Sequence, residues 1–362
     1  MTGPENFKIS VSTPGRICFF GEHQDYLHLP VIASAISLRM RIDATTRPDR
    51  HIHIALPDIG TAVDLSLDES PGYLLERDYF RSGMKVLRDD NYEFPSGFDC
   101  TVRSSIPVNA GTSSSSALVV SWIHLLLCLS RQGRVLQPEV IARYAHRAEV
   151  VEFHEPGGSM DHLTTALGHI LYIAFHPAQT FERLSPPLGA FVLGDSHQPK
   201  DTKAVLSRTK ERSIAVMNRL RTGNPGLSYH SITSVDVEHV KKNLSHDEYL
   251  LLQGNRRNRE ITLEALSLMR SPAFDERKFG ALLTEHHSIL RDNLGVSTPK
   301  IDKMLGAALN AGAYGGKING SGGGGCMFAY SPADPGRVAE AIEKTGGTAY
   351  IVTVDEGTRI DR

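Results

Sequence analysis

Four groups of side chains in this sequence have the types and spacing to do chemistry. The stretch PVNAGTSSSSALVVSWIHLLL, residues 107–127, sets four consecutive serines, Ser113 to Ser116, between a glycine and a long apolar run. Serine is a strong helix N-cap because its oxygen accepts from a free amide of the first turn, but one serine meets that need. The surplus hydroxyls stand where free N–H groups and the positive end of a helix dipole favour an anion such as phosphate. A polar loop with a redundant cap is the other reading of this stretch taken alone. The second group, PGRICFFGEHQDY, crowds Arg16, Glu22, His23 and Asp25 around a strand end and turn. Each carboxylate can accept from two hydroxyls, as a polyhydroxylated ligand requires, although a solvated turn has similar composition. The third group is Glu149 on a helix and Asp161 in the first turn of the next, where an acid also suits the dipole. The fourth, GKINGSGGGGCMFAY, holds five glycines and one serine from Gly320 to Gly325. Glycine there permits positive φ and close approach of a ligand or backbone, or simply makes a flexible hairpin.

Neither loop follows G-x-x-x-x-G-K-[ST], and no G-x-G-x-x-G joins a strand to a helix, so Walker-type and dinucleotide sites both lack their motif. Bulk properties narrow the field further. The chain has 362 residues, 40% hydrophobic and 22% charged, enough for a sizeable core and about two domains. Lys plus Arg number 39 against 41 Asp plus Glu, and a net charge of -2 supplies no broad cationic field for nucleic acid or an anionic membrane. Any phosphate must therefore be held locally. The start, MTGPENFKIS, has no apolar signal core, and no run approaches the roughly 18 apolar residues of a membrane span, so a cytoplasmic location is expected. Cys18, Cys100, Cys128 and Cys326 lie far apart without C-x-x-C spacing and read as reduced structural thiols rather than a zinc site or disulfide scaffold.

The elements that must position these groups can be read from periodicity. FKISVSTPGRICFF predicts two short strands around a Thr13-Pro14-Gly15 break, and RMRIDATT and HIHIAL predict strands of an antiparallel meander. Ala117 to Ser130 is apolar nearly all round, and Pro138 to Phe153 has helical spacing after a first-turn proline, so both should be inside. GGSMDHLTTALGHILYIAF predicts a helix capped by Ser159 and stopped at Gly168, then a strand. A second unit opens near residue 190 with the strand FVLGDS, followed by a polar, Lys/Arg-rich helical region. STPKIDKMLGAALNAG has Thr298 as cap, Pro299 at the first position and Gly312 as stop. After the glycines come a strand CMFAY, a helix over 333–344 and a strand TAYIVTV, an α/β layer pattern.

Together, and in this order, the four groups resemble the GHMP kinases. PGRICFFGEHQDY looks like the galactokinase signature of that family, and PVNAGTSSSSA resembles its phosphate loop, P-x-x-x-G-[LT]-x-S-S-A. EPGGSMDH is similar to the segment around the galactokinase catalytic aspartate, KINGSGGGGC resembles the glycine-rich third motif, and HHSILRDNLGVSTPKID is also galactokinase-like. The resemblance runs from residue 14 to 326. It implies an α+β, two-domain fold: a ribosomal-protein-like α+β domain over 1–192 and a ferredoxin-like domain over 193–362, with ATP and the acceptor between them. It implies phosphate binding by Asn109, Ala110, Gly111, Thr112, Ser113, Ser114, Ser115 and Ser116, supported by Gly320, Ser321, Gly322 and Gly323 of the glycine-rich motif. Magnesium, which takes hard oxygen ligands, would sit at Ser115 and Glu149. Asp161 would face the acceptor hydroxyl, Arg16 would lie near the reacting centre, and Glu22, His23 and Asp25 would contact sugar hydroxyls.

The activity expected from the resemblance is ATP-dependent phosphorylation of a free monosaccharide at its anomeric hydroxyl. It would be carried out by a monomer or small homo-oligomer without nucleic-acid or membrane partners. The sequence departs from galactokinases at Leu27-His28-Leu29, where Asn-Gly-Gly is usual, and at Gly323-Gly324, where Gly-Phe is common. Fucose, arabinose, galacturonate or a heptose therefore stand beside galactose as acceptors. Two other readings are a kinase for a non-sugar alcohol such as mevalonate and a non-catalytic sugar and ATP sensor. Glu22, His23 and Asp25 weigh against the first, and intact Ser113 to Ala117, Glu149, Asp161 and Arg16 weigh against the second.

Overall fold

The computed structural model describes residues 7–69, 72–108, 110–133, 136–199 and 202–361; Asn109, expected in the phosphate loop, lies outside them. The first strand, β1 (Lys8–Phe20), is continuous rather than split. Thr13-Pro14-Gly15 does not end it; the register with β2 (Val31–Thr46) shifts between Pro14 and Gly15, an irregularity that tolerates a proline. Freed from regular pairing there, the Arg16 amide donates to the Thr112 carbonyl at 3.1 Å. A Cβ at Gly15 would stand 3.0 Å from that same oxygen, so the Pro-Gly pair lets the serine loop reach the β1 backbone.

β3 (His51–Leu56) and β4 (Thr61–Ser66) form a hairpin, but β3 does not pair with β2 as a meander requires. α1 (Tyr79–Asp89), capped by the Asp78 carboxylate, leads into β5 (Phe98–Ser104), which inserts between them, antiparallel to β2 and parallel to β3. Alternation fixes which face a strand buries, not which neighbour it takes, so this order was not readable. α2 (Ser114–Leu129), α3 (Pro138–His146) and α4 (Met160–Leu167) belong to the core beneath the sheet. α2 carries fully buried Trp122, Ile123 and Leu126, which explains its apolar circumference. The helix expected to run to Phe153 stops at His146 and widens into a π-helical turn, Arg147–Val151, a distortion often found at functional sites. β6 (Ile170–Ala174) pairs with the start of β2, and β7 (Thr180–Leu184) pairs with β6.

The second sheet begins at β8 (Phe191–Asp195). A helical series follows: α5 (Thr202–Gly223), α6 (Ser234–Val240), α7 (His246–Arg270), α8 (Glu276–Asp292) and α9 (Pro299–Asn310). Then come β9 (Gly315–Ile318), β10 (Cys326–Tyr330), α10 (Pro335–Glu343) and β11 (Thr348–Val352). Thr298 caps α9 by accepting from the Ile301 amide, with Pro299 in the first turn, as its sequence predicts. The strands run β11-β8-β10-β9, all antiparallel. That is the ferredoxin-like βαββαβ arrangement, with α5 to α8 added ahead of its first helix.

Phe19 and Phe20, at the end of β1, leave the first core and enter the second, where Phe19 stacks on Phe191 with centroids 5.0 Å apart. A third cluster joins Tyr26, Leu27 and Leu29 to Val216, Met217 and Leu220 of α5. The unusual Leu27-His28-Leu29 segment is therefore an apolar anchor for the added helices. After β11 the chain returns to the first sheet, where Val354 bridges to Ile36 and β12 (Arg359–Asp361) pairs with β1. No helix among the described residues is long and apolar enough to cross a membrane, and none of the four cysteines is in a disulfide.

Arg39 holds the returning segment, donating to the Asp355 carboxylate at 2.8 Å, to the Gly357 carbonyl at 2.8 Å and to Ser12. Arg39→Ala should lower stability by about 2–3 kcal/mol, the range for charged hydrogen bonds lost from a largely buried position. A urea melt combined with limited proteolysis of residues 353–361 checks this. An unchanged midpoint would mean that strand pairing alone retains the segment.

Candidate active site

β1 delivers Arg16, only 4% exposed, to the junction of the two sheets. Its Nε and Nη2 donate to the two carboxylate oxygens of Asp161 at 2.8 and 2.9 Å, and its Nη1 donates to the Gly111 carbonyl at 2.6 Å. This is the bidentate fork that only arginine provides. Asp161 stands in the first turn of α4, where Ser159 occupies the N-cap position but makes no capping bond with its side chain, contrary to its sequence reading. Burial raises the Asp161 carboxyl, but the Arg16 charge and hydrogen bonds more than offset this and leave it below its ordinary value. Asp161 is ionised at neutral pH.

The serines answer differently from a cap. Ser113, at the N-cap of α2, is left-handed (φ 58°) and its hydroxyl caps nothing. Glu149, which the π-helical turn points inward, bonds His162 Nε2 at 2.7 Å, and the hydroxyls of Ser115 and Ser116 stand beside its carboxylate. Burial raises the Glu149 carboxyl, but His162 and the serines together hold it below its usual value. The two residues expected to share magnesium are thus in contact, and their all-oxygen donor set fits a hard divalent cation. Among the described residues no group of three or more His, Cys, Asp or Glu could hold a metal unaided, so such a cation would complete its shell with phosphate oxygens and water. His162 was missed in the sequence because its contact with Glu149 crosses a loop. Its neighbour His146, edge-on at 5.3 Å, is pushed down to about 4 by burial and is neutral.

On the acceptor side, β1 ends in a tight turn through Gly21 (φ 86°) and His23 (φ 63°). Asp25 accepts from the Tyr26 amide at 2.9 Å, and no ion pair holds it among the described residues. Burial, and then the charge of Asp161, push its carboxyl up to about 6. Gly158 makes room for it: a Cβ there would fall 2.1 Å from Asp25 Oδ2. The His23 ring nitrogens lie 3.0 Å from the Tyr26 hydroxyl and 3.0 Å from the Ser321 carbonyl. Glu22 lines the cleft with its carboxylate engaged, one oxygen on the Lys317 ammonium and the other accepting from the Gly320 amide at 2.8 Å.

Lys317 and Asn319 were not singled out from sequence, although a lysine and an asparagine inside an apolar strand-and-turn were a usable signal. Asn319 donates to the Gly111 carbonyl at 2.8 Å and accepts from the Cys18 amide at 2.9 Å. The glycine loop then lies backbone to backbone on the serine loop: at Gly320 (φ 79°) a Cβ would come 2.8 Å from the Gly111 carbonyl. The Cys326 amide donates to the Ala110 carbonyl at 2.7 Å. The result is a cleft of about 320 Å³ between the two halves. Arg16, Glu22, His23, Asp25, Gly111, Ser113 to Ser116, Glu149, Asp161, Gly320 and Ser321 line it. Ala110, Thr112, Gly322 and Gly323 do not line it and serve as its framework.

The chain matches known proteins in sequence and in fold. Residues 78–169 match the GHMP kinases N terminal domain, residues 264–348 the GHMP kinases C terminal region, and residues 3–45 the galactokinase galactose-binding signature. The chain is 30% identical to the mevalonate kinase of Thermococcus gammatolerans over 98% of each chain. It is 26% identical to the galactokinase of Haemophilus influenzae over 98% of this chain and 95% of that one. Its fold matches the crystal structure of Lactococcus lactis galactokinase complexed with galactose, with TM-score 0.84, 20% identity and coverage of 97% and 95%. The mevalonate kinase of Methanococcus jannaschii gives TM-score 0.74 at 19% identity, with coverage of 98% and 99%.

The Asp25 carboxyl makes a pH-dependent prediction. With its folded value near 6, above the roughly 4 of an unfolded chain, the native state keeps a proton that the unfolded state has lost across that window. Asp25 therefore costs stability progressively as pH rises from about 4 to 6, and fully above that. Asp25→Asn should melt near the native temperature at pH 4 and above it at pH 7.5. Lower stability of the variant at pH 7.5 would mean that favourable charge, not desolvation, governs this carboxyl.

Proposed function

Because this chain belongs to the GHMP kinases, a family of ATP-dependent small-molecule kinases, we propose that it transfers the γ-phosphoryl group of ATP to the anomeric hydroxyl of a neutral free sugar. The observation that carries the choice of acceptor is the charge of the cleft. Asp25 and Asp161 face the same space, and the two arginines among the described lining residues, Arg16 and Arg77, are paired with Asp161 and Glu155. A carboxylate-bearing acceptor such as mevalonate, or a sugar acid such as galacturonate, would lie against these acids without a free arginine or lysine among the described lining residues to meet it. A neutral polyol instead donates hydroxyl protons to them. The match to the galactose-binding signature over residues 3–45 supports the same reading. The identity to mevalonate kinases extends along the whole chain, most of which is scaffold rather than acceptor pocket.

In this reading the anomeric oxygen attacks the γ-phosphorus while the bond to the bridging oxygen breaks and ADP leaves. The hydroxyl proton passes to the Asp161 carboxylate. Arg16 holds that carboxylate ionised and aimed, which makes it a good acceptor and a weak base, so the proton moves late, as the new P–O bond acidifies the hydroxyl. Backbone amides at the start of α2 meet the phosphates at the positive end of the helix. Magnesium bound by Ser115 and Glu149 would supply charge neutralisation of those phosphates. His23 and Asp25 orient the sugar.

A panel of neutral sugars, galacturonate and mevalonate, assayed for ADP release with magnesium and ATP, tests the proposal, with phosphorus-31 NMR of the product. A neutral sugar should turn over and carry its phosphate at the anomeric carbon. Asp161→Asn should lower kcat by about 10²–10⁴-fold with little change in the sugar KM, as for loss of a general base. Mevalonate turning over faster than every sugar would overturn the assignment.

A further inference from the structure

We infer that Lys317 is a positioning residue for nucleotide binding: paired with Glu22, it latches the glycine loop onto the serine loop from a place no ligand touches. The inference rests on the serine loop being the phosphate site. Lys317 is 0% exposed and does not line the cleft. Its side chain leaves β9 in the second sheet and crosses to β1, where Nζ donates to the Cys18 carbonyl at 2.9 Å and to the Glu22 carboxylate. It also stands 5.2 Å from the centre of the Phe328 ring, within cation–π range. The second Glu22 oxygen accepts from the Gly320 amide, so one buried ion pair fixes the two ends of the turn 317–320. Between them, Asn319 bonds both Cys18 and Gly111.

Gly111 is where this assembly meets the serine loop. Its carbonyl accepts from Arg16 and from Asn319, and Gly320 abuts it so closely that no Cβ would fit. A buried ion pair gains little stability over well-packed apolar side chains, whereas removing one partner strands the other charge. The cost of keeping Glu22 and Lys317 is therefore matched by what they place rather than by what they stabilise. Without the ammonium, Glu22 is a buried carboxylate with one amide for company; it must turn toward water and release Gly320. The serine loop then loses its backing at Gly111. At the acceptor end Asp25 stays held by the Tyr26 amide and Asp161 by Arg16, and His23, which also meets the Ser321 carbonyl of the glycine loop, keeps the Tyr26 hydroxyl as its second partner.

The test is calorimetric titration of Lys317→Met with magnesium and a non-hydrolysable ATP analogue, adenylyl imidodiphosphate. No acceptor is needed, so a wrong sugar assignment leaves the readout intact. Analogue affinity should fall about tenfold or more, the equivalent of a lost charged hydrogen bond. The KM of whichever acceptor turns over should stay within about twofold, a split that general loosening of the fold would not give. If Lys317→Met does not fold, the double variant Glu22→Gln, Lys317→Met carries the test, because removing both charges at similar volume spares the stranded carboxylate. It should melt near the native temperature and still bind the analogue weakly. Analogue affinity within twofold of the native protein in either folded variant, or an acceptor KM that rises as much as the analogue weakens, would overturn the inference. Absence of analogue binding to the native protein would overturn the functional reading with it.

Discussion

The Arg16 guanidinium is the contact on which the site depends. It reaches three parts of the chain that are remote in sequence: it sits on β1, forks onto Asp161 at the start of α4, and bonds the carbonyl of Gly111 in the serine loop. A planar cation with donors in fixed directions sets distance and angle together, which a point charge cannot do. It also sets the electrostatics. By holding Asp161 ionised, it leaves a permanent negative charge in the cleft, and that charge adds to burial in keeping Asp25 partly protonated. Two carboxyls facing one ligand space are thus pushed apart in proton affinity, so Asp161 stays ionised in the pH range where Asp25 takes up its proton.

How much of this was legible in the sequence follows from range. Features set by a few neighbours read correctly: Thr298 and Pro299 at the start of α9, Gly168 after α4, and the apolar circumference of α2. The four chemical groups were also legible, because each is a compact run whose composition no ordinary loop needs. What failed depended on partners far along the chain. β5 separates β2 from β3, an outcome that neither strand encodes. Of the two readings of the serines, the cap is the one that fails at Ser113, whose backbone is left-handed where the glycine loop and Arg16 contact residues 110–112. The ion pair of Glu22 was invisible, since a lysine 295 positions later cannot be seen beside it in a linear reading.

The departure at Leu27-His28-Leu29 has a similar explanation. Leu27 and Leu29 are buried with Val216, Met217 and Leu220, so this segment follows the helices added between β8 and α9. α5 in turn contributes Leu206 to the cleft wall, and Lys210 of the same helix donates to the Pro156 carbonyl in the segment that carries Gly157 and Gly158. The shape of the acceptor pocket is therefore set partly by elements outside both sheets, through apolar contacts that leave no short motif.

β1 has one further property that bears on how the protein comes into being. It pairs with β2 on one side and with β12 on the other, and its end supplies Phe19 and Phe20 to the second core. The hydrogen bonds of β1 and its aromatic contacts are thus complete only when residues far along the sequence are in place. Loop closure over such a separation is slow, and a half-finished strand edge is a template for wrong pairing. The first sheet therefore cannot complete its native pairing from its own half of the fold, and it waits on docking of the segment beyond β11.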